Sequence, residues 1–124
     1  MAGERRFKPL TEADVEFSFS LEEEDAAIEG NAMASGDDAI DEETNDWVRR
    51  ELARGNLAAW CYVVVKVEWN GYRAFDSLGC CSYRSEKELW ADLRDTMKQE
   101  ALDRLNESIQ RSADILSERF EVVS

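Results

Sequence analysis

The sequence predicts an α+β domain of two layers, an antiparallel sheet packed on two helices. Three observations carry this. Residues 15–21 alternate Val15, Phe17, Phe19 and Leu21 with Glu16, Ser18 and Ser20, the pattern of a half-buried strand. Residues 60–69 are rich in β-branched and aromatic side chains and run into Asn70-Gly71, the strongest short hairpin signal. Ser85-Glu86-Lys87-Glu88 then opens a long stripe of apolar residues at helical spacing, as a capping box does.

At 124 residues the chain suits a single domain. Its first twelve residues, which include Arg5, Arg6 and Lys8, read as a loose N-terminal arm. The strand over 15–21 stops at Glu22, Glu23, Glu24 and Asp25. Residues 26–36 are small side chains and turn formers, with Ile28 and Met33 as anchors. A helix follows over about 38–54. Acids crowd its start, Arg49, Arg50 and Arg54 crowd its end, and Gly55 can take the left-handed position after it. Ile40, Trp47, Val48 and Leu52 form its apolar side.

The hairpin spans 59–69 and 72–82. With Asn70-Gly71 as a two-residue turn, paired positions sum to 141. Trp69 then faces Tyr72, Val67 faces Ala74, Val65 faces Asp76, Val63 faces Leu78 and Cys61 faces Cys80. The other face pairs Glu68 with Arg73, opposite charges beside the turn. Asp76 is the one charged residue on the apolar side, and either a bulge or a backbone hydrogen bond would accommodate it. The second helix runs over 86–111, and its stripe permits continuation to 117. Phe120-Glu121-Val122 alternates and reads as a short edge strand. The expected core is Phe17, Phe19, Trp47, Leu52, Val63, Val65, Val67, Leu78, Trp90, Leu93 and Met97.

Composition narrows the chemistry. There is no histidine, which removes His-based acid–base catalysis, His-activated nucleophiles and His metal ligands. Three cysteines without framework spacing read as reduced thiols of a cytoplasmic protein. The N-terminus lacks an apolar leader segment. No apolar run approaches the ~20 residues of a membrane span. No phosphate-binding glycine loop is present. No cofactor or metal is expected: Asp37, Asp38, Asp41 and Glu42 crowd together but lack the order of a calcium loop. Trp60, Tyr62, Trp69 and Phe75 either pack in the core or form an aromatic face of the hairpin.

The informative feature is charge. The chain carries −13, and the excess sits in one window. Residues 9–48 contain 14 acids and no Lys or Arg, leaving 14 acids against 15 bases elsewhere. Such a surface repels nucleic acid and anionic membrane and attracts basic partners. The competing reading is a plain solvated face. The candidate contact residues are Glu22, Glu23, Glu24, Asp25, Glu29, Asp37, Asp38, Asp41, Glu42, Glu43 and Asp46.

Gly30-Asn31-Ala32-Met33-Ala34-Ser35-Gly36-Asp37-Asp38, with Ala59-Trp60-Cys61 and Leu78-Gly79-Cys80-Cys81-Ser82-Tyr83 downstream, resembles small acidic proteins of phages and mobile elements. The resemblance implies a counter-defence role, of the anti-CRISPR or anti-restriction type, in some cases by mimicry of nucleic-acid charge. The expectation is therefore a non-enzymatic inhibitor docking on the basic nucleic-acid-binding surface of a host defence nuclease or CRISPR effector. The alternative is a small cytoplasmic adaptor or regulatory domain binding a protein through the aromatic face of the hairpin.

Overall fold

The computed structural model describes residues 7–32 and 35–120. It contains β1 (Glu16–Glu23), α1 (Asp38–Ala53), β2 (Cys61–Trp69), β3 (Tyr72–Cys81) and α2 (Glu86–Ser117), with short 3₁₀ turns at Glu12–Asp14 and Leu57–Ala59. The sheet is antiparallel with β2 in the centre. The α+β class, the three strands and both helices are as the sequence predicts.

The sheet buries one face. Val63, Val65 and Val67 of β2 are 0% exposed. Phe17, Phe19 and Leu21 stand opposite them on β1. α2 covers this face with Leu89, Met97, Ala101, Leu105 and Ile109. Fully burying each such aliphatic side chain contributes ~1.5–3 kcal/mol, so this layer is the core. Phe19 meets Trp90 edge to face, with ring centroids 5.2 Å apart. α1 joins the fold chiefly through the 57–59 turn, and Val48 is its fully buried residue.

The helix ends follow their sequence signals. Asp37 Oδ1 accepts from the amides of Ala39 and Ile40. Ser85 Oγ accepts from the Glu88 amide at 3.1 Å. The reciprocal bond from Glu88 is absent among the described residues, so half of the predicted box forms. Gly55 has φ +91°, and its amide donates to the Leu52 carbonyl. α2 continues to 117, with Ile115 and Leu116 exposed in its last turns.

Four expectations need correction. Residues 7–12 are not a loose arm. Phe7 and Leu10 pack on the core, and Leu10 exchanges both backbone bonds with the Asn106 side chain. Cys61 faces Cys81, not Cys80. The pairing sum holds from Trp69–Tyr72 to Val63–Leu78 and then shifts by one. Tyr62 is thereby opposed by both Gly79 and Cys80, and Cys80 takes a left-handed φ of 55°, as in a β-bulge. Leu78 is 45% exposed rather than core, because it lies at the outer strand beside this bulge. Asp76 is held neither by a bulge nor by a backbone amide. Its side chain is 14% exposed and pairs with Arg104 of α2 at 3.0 Å. The strand expected at 120–122 has residues 121 and 122 outside the described ones.

Candidate functional site

The acidic window folds along α1. Glu23 and Glu24 line a groove of about 380 Å³ with Leu52, Gly55, Leu57 and Trp60, at the C-terminal end of the helix. Trp60 Nε1 donates to the Ala26 carbonyl at 2.9 Å, fixing the next step of the chain. Glu29 then pairs with Arg49, and the other Arg49 nitrogen reaches Asp46 at 3.2 Å. Asp37, Asp38 and Asp41 complete the row at the N-terminus. Sixteen helical residues at 1.5 Å each span about 24 Å, and acids accompany that whole length.

These acids are not equivalent. Five candidates already serve the fold. Glu24 accepts from the amides of Cys80 at 2.7 Å and Ala26 at 3.1 Å. The Cys80 bond, then the Ala26 bond, hold its carboxyl below the ordinary glutamate pKa. Asp37 caps α1. Asp41 accepts from the amide and hydroxyl of Ser35. Glu29 and Asp46 share Arg49. The carboxylates of the remaining six, Glu22, Glu23, Asp25, Asp38, Glu42 and Glu43, are exposed and have no hydrogen-bond or ion-pair partner among the described residues. Part of this division was not legible in the sequence: Glu24 depends on where Cys80 returns and Glu29 on where Arg49 stands, whereas the Asp37 cap and the Asp46–Arg49 pair are local.

The rest of the predicted chemistry is distributed as follows. The four hairpin aromatics do not share a face. Trp60 is buried, Trp69 stacks with Tyr72 on the α2 side, and Tyr62 and Phe75 stand on the opposite face. Burial pushes the Cys61 thiol up to about 12 and that of Cys81 to about 11, so both stay protonated at neutral pH. Burial, and then the hydroxyl bond to Asp92, raise the Tyr83 pKa as well. Among the described residues no cluster of three or more Cys, Asp or Glu is placed to hold a metal ion, and no helix is long and apolar enough to cross a membrane.

Comparison with protein-family models, curated proteins and solved structures gives no match for this chain.

Proposed function

We propose that this chain is a non-enzymatic acidic inhibitor that docks on a basic nucleic-acid-binding surface of a host defence protein. One observation carries the reading: six acids, three on α1 and three at or just after the end of β1, are exposed and form no ion pair among the described residues, with Arg50 the one base lining a groove beside Glu42 and Glu43. Uncompensated like charge costs stability by self-repulsion. A basic groove built for phosphates, which present one charge per ~1.7 Å of duplex axis, offsets that cost on docking. Arrangement along a helix favours the same outcome, because rigid presentation lowers the ordering cost of binding. An adaptor role through the hairpin aromatics has less support, since Trp60 is buried and the others are split between faces.

The test is affinity capture from a bacterial lysate at low and at high salt, followed by elution with duplex DNA. The reading expects nucleic-acid-binding proteins that are retained at low salt and released by salt or by DNA. Capture that ignores both salt and DNA overturns it.

A further inference from the structure

The two outer strands of the sheet differ in one respect that bears on binding. A two-residue hairpin closes on a hydrogen-bonded pair, here Trp69–Tyr72. The alternation of an antiparallel ladder then points the amides and carbonyls of Arg73, Phe75 and Ser77 outward on β3. It likewise points those of Phe17, Phe19 and Leu21 outward on β1. The β3 edge is obstructed: Arg104 Nη1 donates to the Phe75 carbonyl at 2.7 Å, and the Glu24 carboxylate covers the Cys80 amide at the bulge. The outward groups of Phe17, Phe19 and Leu21 have no partner among the described residues. An uncovered edge strand is a template for another strand.

The side chains beside this edge specify what fits. On the open face of the sheet, β1 presents Glu16, Ser18, Ser20 and Glu22, with acids at both ends. On the other face Lys98 Nζ sits 4.8 Å from the Phe17 ring centroid and Arg94 Cζ 4.9 Å from that of Phe19. Cations are therefore favoured on the open side of an added strand and disfavoured on the other beside Arg94, the Lys98 charge being paired with Glu12. A second copy is a poor occupant. Pairing β1 with itself antiparallel, Phe19 on Phe19, sets Glu16 opposite Glu22 at both ends, and opposed like charges destabilise a sheet.

We propose that the β1 edge takes up an extended segment of a basic partner protein, with Lys or Arg alternating with apolar residues, by strand addition. This rests on the reading of the acidic window as a partner surface and adds a backbone-mediated contact to it. The cations lie beside Glu16 and Glu22, and the apolar residues lie beside Phe17, Phe19 and Leu21, under Arg94 and Lys98.

A short peptide alternating Lys and Val serves as the probe. Two further versions carry N-methyl groups on every Val or on every Lys. Amide hydrogen exchange of the full chain is followed residue by residue. In the free protein the amides of Phe17, Phe19 and Leu21 should exchange faster than those of Ser18 and Ser20. The unmodified peptide should slow them, and one of the two methylated peptides should bind roughly tenfold or more weakly, having lost its bonds to the edge. If both methylated peptides bind like the parent, or the peptide protects none of the three amides, strand addition is wrong. Such a failure is separable from failure of the acidic surface, which is read from charge reversals on α1 with the captured partner.

Discussion

At the residue scale, Glu24 links the acidic window to the fold. Its carboxylate closes on the β3 bulge, and a Cβ added at Gly79 would lie 3.0 Å from its Oε2. Gly79 is therefore small to admit the carboxylate. Because the Cys80 and Ala26 amides lower the folded-state pKa of Glu24, its contribution is complete above the ordinary glutamate pKa of ~4.3. It is lost as pH falls through that value toward the lower folded one. A carboxyl titration followed by NMR should show a lower midpoint for Glu24 in the native chain than in the urea-unfolded chain. Equal midpoints would remove the bulge clasp. The thiols give a second expectation. Cys80 is exposed, whereas Cys61 and Cys81 are buried and protonated. A thiol reagent at neutral pH should modify Cys80 first and the other two only on unfolding. Rapid modification of all three would contradict the burial.

At the element scale, what the sequence announced locally is what formed. The alternation at 15–21, the Asn70-Gly71 turn and the cap at Ser85 are signals confined to a few neighbours, and each produced its element. The Asn70-Gly71 turn works because both residues take positive φ, 49° and 87°, as a type I′ turn requires. Apart from the Glu88 half of the capping box, what failed depended on contacts far apart in sequence. The bulge arises where Glu24 meets Cys80, fifty-six residues later. The partner of Asp76 is Arg104, on a different element. No local pattern encodes either. Two substitutions follow. Ser85→Ala removes the acceptor for the Glu88 amide and should destabilise the chain by ~1 kcal/mol in denaturant unfolding. Arg104→Ala leaves Asp76 with 14% exposure and no cation. The pair is neither fully exposed nor fully buried, so the cost should lie between those cases, about 1–3 kcal/mol. Replacing both Asp76 and Arg104 with apolar residues should recover much of it. If Arg104→Ala costs no more than a surface change, the ion pair does not hold α2 to the sheet.

At the scale of the whole molecule, the imbalance between residues 9–48 and the rest survives folding only in part. Lys98 and Arg49, both outside the window, reach back to pair with Glu12, Glu29 and Asp46. Besides Glu16 on β1, the unpaired acids that remain fall into two sets, Asp38, Glu42 and Glu43 on α1, and Glu22, Glu23 and Asp25 at the end of β1. Reversing only these to Lys probes binding without touching the acids that hold Cys80, cap α1 or anchor Ser35. The α1 set is presented on a helix whose N-terminus is capped, so less ordering opposes its docking. Each exposed pair is worth ~0.2–1 kcal/mol. Reversing three therefore corresponds to a loss of roughly tenfold or more in affinity for the captured partner at low salt. The β1 set should cost less, and both losses should shrink as salt screens the contact, with a Debye length of ~10 Å at 0.1 M and ~3 Å at 1 M. The measurement is affinity for the captured partner at two salt concentrations, for the wild-type chain and both triple variants, with unfolding curves confirming that each variant is folded. If neither variant loses affinity and salt has no effect, the acids are a solvated surface and the inhibitor reading fails.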